Sequence, residues 1–147
     1  MASALEQVHA RISPYLQDDG VLDPFPLLTL EEFFEGNDEA GSIWCNVIPD
    51  QEDPSSQVTP AEVRALLTAI RDRAEVQDVR IVVTQVDSDD EWPFSDQIVL
   101  VTDCAADEVL TWFPQALRPD DTWPLGKHYR YQDLGIPTDR LLVLWWD

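Results

Sequence analysis

The sequence predicts an α/β (or α+β) fold: a single domain built on a mixed sheet of about four strands, including a β-hairpin, packed by three to four helices. Three observations carry that prediction. Apolar, strand-like runs interleave with amphipathic helical stretches along the chain. Ser/Thr-x-x-Glu signals mark helix starts at Ser3, Thr29 and Thr59. Two strand-like runs, 79–86 and 97–102, are separated by only ten residues. That is too few for a helical crossover of about a dozen or more, so the two are expected to pair as an antiparallel hairpin. The length of 147 residues suits one ordinary domain. A chain of that size buries roughly 68–70% of its unfolded surface and needs no staples.

The elements follow in order. Ser3-Ala4-Leu5-Glu6 opens the first helix with Ser3 as N-cap. Leu5, Val8, Ile12 and Leu16 repeat at helical spacing, and Pro14 ends or kinks the helix just before it. Asp18-Asp19-Gly20 and Asp23-Pro24-Phe25-Pro26 read as a rigid loop. Thr29-Leu30-Glu31-Glu32 starts a short helix through Phe33 and Phe34, with Gly36 or Asn37 as the left-handed stop. Ile43, Trp44, Cys45 and Val47 mark a strand over 42–48 that Pro49 ends, and 50–56 is a polar loop. Thr59-Pro60-Ala61-Glu62 is the strongest local signal, with Thr at the N-cap, Pro at N1 and Glu at N3. The apolar stripe Val63, Leu66, Leu67, Ile70 and Ala74 extends that helix to about residue 75. The run 79–86 is almost continuously apolar, as a central strand would be. Asp103 is expected to cap a helix to about residue 113, with Asp107 and Glu108 in its first turn. Pro114, Pro119 and Pro124 mark an irregular stretch, and 141–146 is the last strand.

Charge is the unusual property. The chain has 29 acidic and 9 basic residues, a formal net charge of −20. Residues 12–63 contain twelve acids and no Lys or Arg, and residues 81–117 contain eight more, again without Lys or Arg. The remainder is neutral, so two segments supply the whole excess. Such a surface repels nucleic-acid phosphates and anionic membranes and attracts basic proteins, cationic ligands or metal ions. Screening at physiological salt decays over about 8 Å, so only charges gathered on one face add up.

No phosphate cradle, dinucleotide fingerprint or hydrolase elbow is present among the five scattered glycines, and no cofactor is expected. Cys45 and Cys104, with His9 and His128, do not have zinc-like spacing, so no metal centre is expected; the two thiols read as reduced core residues. Nor is any residue assigned a catalytic role. No stretch reaches membrane-span length, and residues 1–10 lack a basic start and an apolar stretch, so the expected location is cytoplasmic.

Two acidic clusters are candidate partner-binding surfaces. The segment 87–96 places Trp92 and Phe94 among Asp87, Asp89, Asp90, Glu91 and Asp96. It begins like a calcium loop, but Trp92 and Ile98 stand where an EF-hand needs Gly and Glu. Its rings either serve as interface anchors with acidic flanks or fold back onto the sheet. The second cluster is Glu31, Glu32, Glu35, Asp38 and Glu39. Glu31 and Glu35, one turn apart, repel by about 0.2–0.5 kcal/mol. Trp123, in the Pro-rich stretch, is a further candidate surface aromatic, and Lys127-His128-Tyr129-Arg130 is the one basic cluster. It either holds a phosphate or pairs with the protein's own acidic face.

These features lead to the expectation of a non-catalytic acidic binding protein that captures a basic protein partner, in the manner of an immunity protein or inhibitor neutralising a cationic toxin or nuclease. The alternatives are a metal-assisted hydrolytic enzyme using clustered carboxylates, or an acidic housekeeping domain adapted to a salt-rich cytoplasm.

Overall fold

The computed structural model describes residues 2–48, 52–53 and 57–147. Its helices begin where short polar side chains can satisfy free backbone N–H groups. In α1 (Ala4–Ile12) the Ser3 hydroxyl accepts from the Glu6 N–H. In α2 (Leu30–Phe34) the capping box closes both ways: Thr29 Oγ1 accepts from the Glu32 N–H, and the Glu32 carboxylate accepts from the Thr29 N–H. In α3 (Pro60–Arg71) Thr59 accepts from the Glu62 N–H, and Pro60 takes the first helical position, where its missing N–H costs nothing. α1 ends before Pro14 and tightens into a 3-10 turn over Ser13–Tyr15.

Among the described residues five strands form one sheet: β1 (Leu27–Leu28), β2 (Val76–Val82), β3 (Gln97–Thr102), β4 (Asp121–Pro124) and β5 (Leu141–Trp145), in the order β1-β2-β3-β5-β4. The fold is therefore α+β. The predicted hairpin forms, with Val82 opposite Gln97. The sheet was expected to be mixed and of about four strands; all four pairings are antiparallel. The reason lies in the C-terminus. β3 and β4 run the same way, as the intervening helix α4 (Ala106–Leu110) implies. β5 then inserts between them, so both of its contacts are antiparallel.

Every residue of β3 is buried. Ile98 and Leu100 face the helices and join Val8, Phe33, Leu67 and Val79 in the larger core. Gln97, Val99 and Val101 point the other way. Val99 and Val101 pack with Leu27, Val82, Trp123, Tyr131 and Val143 in a second core. No helix covers this second face among the described residues. Phe25, Leu125, Leu134 and Ile136, from irregular chain, pack over it instead. Burying a Leu or Ile side chain contributes about 1.5–3 kcal/mol, so cover on both faces is a requirement of the central strand.

Six local expectations are corrected. The strand expected over 42–48 is absent: Ala40–Ser42 is a 3-10 turn, Ile43 makes one isolated bridge to Ser95, and Trp44 is left-handed at φ +48°. That turn stacks the Trp44 ring on Trp146, with centroids 3.8 Å apart. Packing of this large ring offsets backbone strain of about 1–3 kcal/mol. Pro49, and the expected 50–56 loop apart from Glu52 and Asp53, lie outside the described residues. Asp103 does not cap α4; it pairs with Arg140 at 3.4 Å, and the N-cap is Ala105. The helix also stops at Leu110, short of 113. Residues 121–124, expected to be irregular, form edge strand β4, where Pro124 is tolerated at the strand's end. The second strand is shifted N-terminally, ending at Val82 instead of residue 86, and α3 ends at Arg71 instead of residue 75.

Gly36 joins two helices. It stops α2 at φ +79°, and a Cβ placed there would lie 2.6 Å from Ala4 Cβ in α1. Gly20 has a similar φ of +84° but open space around it. Gly20→Ala is expected to lose about 1–2 kcal/mol, the left-handed penalty alone, and Gly36→Ala more than that. Urea denaturation of the two variants, with equal losses as the contrary result, checks this.

Candidate functional site

The two acidic clusters differ in what surrounds them. Around α2, arginines from neighbouring helices reach each glutamate. Arg11 of α1 meets Glu32 at 2.8 Å, Arg71 of α3 meets Glu31 at 2.8 Å, and Arg64 of α3 meets Glu35 at 3.3 Å. Glu31 is held below its usual pKa by a backbone hydrogen bond and by Arg71. Burial works to raise Glu32, but the Thr29 N–H and Arg11 outweigh it, and its pKa is lowered too. The one-turn repulsion between Glu31 and Glu35 is thus relieved by cations distant in sequence. Asp38 is exposed and carries no ion pair among the described residues.

The other cluster is unneutralised. Asp87, Asp89, Asp90 and Glu91 are exposed, and among the described residues none forms an ion pair. The loop is nonetheless fixed to the body. His9 Nε2, on α1, lies 2.8 Å from the Glu91 carbonyl oxygen. Glu39 accepts the Trp92 N–H at 2.9 Å. Gln85 donates to Asp87 at 2.6 Å, and Ser88 accepts the Asp90 N–H at 3.3 Å. Glu39, at the end of the first cluster, therefore touches the second, and α1 contacts both. Asp89 and Val86 face His9, Ile12 and Leu16 of the α1 segment across a shallow hollow.

The aromatic candidates do not project. Trp92 and Trp123 are each only 7% exposed, and Phe94 is half-buried. Of the two arrangements open to the Trp92-Pro93-Phe94 segment, folding back onto the sheet is the one formed, with Phe94 bridged to Gln85. Trp123, expected at the surface, likewise does not project: it packs into the second core and presents only a small part of its ring outward. Trp92 is pulled in because its apolar ring gains more from the core than from water, although its Nε1 is left without a partner.

Asp96 separates from the other carboxylates of its segment. It is half-buried behind Trp145, whose Nε1–H it accepts at 3.3 Å, and its Oδ1 is buried without a partner. Burial raises its pKa. Burial also raises Cys45, with help from the Asp96 charge, so this thiol is a poor nucleophile. Both cysteines are free and half-buried. Among the described residues no three His, Cys, Asp or Glu side chains gather as a metal site would need, and no helix is long and apolar enough to cross a membrane.

One feature escaped sequence reasoning. On the second face, Trp123, His128, Tyr129 and Trp145 surround a hollow of about 240 Å³. Behind it, Trp123 Nε1 donates to Tyr131 Oη at 3.4 Å, and Tyr131 donates to Gln97 Oε1 at 2.8 Å. Burial pushes the Tyr131 hydroxyl up to about 12. The signal was faint: Leu141, Val143 and Trp145 alternate onto one face of β5, and the Lys127–Arg130 cluster is the only basic run. Of that cluster, Arg130 pairs with Asp23 at 3.6 Å, as the self-pairing reading expected.

Two titrations follow. Tyr131 favours its neutral form in the fold, so the stability it supplies is present below about pH 10 and lost as pH rises toward 12. Ultraviolet titration of the folded protein is expected to show one of the three tyrosines ionising near 12. Three ordinary tyrosines would contradict this. For Asp96, the stabilising proton is fully present below its ordinary value of 3.8 and lost as pH rises through the raised folded value. Asp96→Asn keeps an acceptor for Trp145 and is expected to have a higher Tm than wild type at neutral pH. The gap should close on acidification; a gap independent of pH would contradict the assignment.

The model of a family described as the Uncharacterized protein YfbO family matches residues 3–138. One relative, the Uncharacterized protein YfbO of Escherichia coli (strain K12), is 41% identical over 126 residues, which cover 84% of each chain. No solved structure matches the chain.

Proposed function

We propose that this chain, which belongs to the YfbO family, is a non-catalytic acidic protein that captures a basic protein partner, as an inhibitor or immunity protein does. The observation that carries the reading is the contrast between the clusters. The α2 glutamates are paired with the chain's own arginines, whereas Asp87, Asp89, Asp90 and Glu91 stand exposed and, among the described residues, without an ion pair, on a loop tied down at Glu91 and Trp92. Ordering such a loop costs little at the moment of binding, because its backbone is already held. Its like charges raise the encounter rate with a cationic surface and weaken with salt. Asp38 extends the surface beyond the paired α2 residues. The alternative of metal-assisted hydrolysis lacks a comparable observation, since no convergent ligand set lies among the described residues.

The immobilised protein is expected to retain one basic protein from an extract of its own cells at low salt and to release it steeply as salt rises. Asp89→Lys with Asp90→Lys is expected to weaken that affinity by at least about tenfold. Glu31→Gln, whose charge already serves Arg71, should leave it nearly unchanged. Binding indifferent to the loop variant and to salt would refute the proposal.

A further inference from the structure

The ring cluster on the second face meets the acidic 87–96 segment at Asp96, through Trp145, and lies apart from its exposed carboxylates at 87–91. Trp123 is its hub: His128 stands edge-on to it at 4.9 Å, Trp145 is tilted at 6.2 Å, and Tyr129 is tilted at 6.4 Å. Tyr129 is 48% exposed and forms the outer wall. The open hollow of about 240 Å³ falls just below the usual small-molecule range, roughly 300–1,000 Å³, and suits a guest the size of one side chain or headgroup.

The guest's chemistry follows from what the walls offer. Both indole N–H groups are engaged elsewhere, Trp123 with Tyr131 and Trp145 with Asp96. A guest therefore meets aromatic rings, one phenol hydroxyl and one imidazole, but no indole donor. That is a poor match for a sugar, which needs several directed hydrogen bonds. Electron-rich ring faces attract cations instead, tryptophan most strongly. Carboxylates bracket Trp145: Asp96 accepts its N–H, and Asp121 lies opposite it in the β4–β5 pair. On the other flank, Arg130 is turned to Asp23. The net charge of −20 concentrates cations around the molecule and depletes anions.

We propose that the Trp123–Tyr129–Trp145 hollow binds an organic cation, an alkylated ammonium or guanidinium group of side-chain size. The cation is either a free small molecule or the head of a lysine or arginine side chain. This site is independent of the acidic-loop reading, and neither depends on the other being correct.

Titration of the full chain followed by two-dimensional NMR of the indole N–H groups tests it. Choline represents a free ammonium, N-acetylarginine amide represents a guanidinium side chain, and 3,3-dimethylbutan-1-ol is the uncharged match for choline. Choline or the arginine derivative should shift the Trp123 and Trp145 resonances against matched sodium chloride, and choline should bind about tenfold more tightly than the alcohol. A response to choline alone assigns the site to free ammonium compounds, and a response to the arginine derivative alone assigns it to protein side chains. Tyr129→Phe should retain binding, and Tyr129→Ala should lose most of it while the Trp44 and Trp146 indole resonances of the main core keep their wild-type positions. No shift with either cation, equal affinity for the alcohol, or undiminished binding in Tyr129→Ala overturns the proposal.

Discussion

The constraint on which this fold depends is the complete burial of β3. A strand with no exposed residue needs apolar cover on both faces of the sheet. α1, α2 and α3 supply it on one side, together with the stacked Trp44 and Trp146. On the other side the described residues supply irregular segments around Phe25 and residues 125–136. Cover of that kind is held by particular contacts. The Phe25 N–H donates to the Arg130 carbonyl, the Gln132 N–H donates to the Phe25 carbonyl, and the Gln132 side chain accepts from both Leu27 and Arg11. Where this cover stops short at the β4 edge, the aromatic hollow remains.

Arg11 shows how electrostatics and architecture are joined. One guanidinium bonds the Glu32 carboxylate, the Leu27 carbonyl and the Gln132 side chain. It thereby links α1, the start of α2, edge strand β1 and the irregular cover of the second face. Arg80 also donates to the Leu27 carbonyl. A two-residue edge strand exposes few groups to begin with, and here polar side chains occupy its outward donor and acceptor, which guards the edge against pairing with another chain.

The same pairing redistributes the negative charge. By sequence, residues 12–63 hold twelve acids and no base. In space, three of the α2 glutamates meet arginines that lie outside that segment. Partly exposed ion pairs contribute only about 0–1 kcal/mol each. Their larger consequence is a difference between the two clusters: the α2 glutamates are compensated, whereas the carboxylates of the pinned 87–91 loop, like Asp18, Asp19, Asp107 and Glu108 elsewhere, form no ion pair among the described residues.

The sequence by itself determined the local and the total. Helix starts at Ser3, Thr29 and Thr59 were legible because a cap is a contact between residues three apart. The 97–102 strand and its hairpin partner were legible because apolar continuity and a short connection act over a few residues. Net charge required only counting. The tertiary structure alone decided what depends on distant neighbours. Trp44 became left-handed to stack on Trp146, β5 entered between β3 and β4, and Asp103 was drawn from its capping position to Arg140. The α2 acids were neutralised, Trp92 and Trp123 were buried, and four rings met across strands and loop. Each of these rests on contacts between residues far apart in the chain, and local pattern carries no information about which distant side chain arrives.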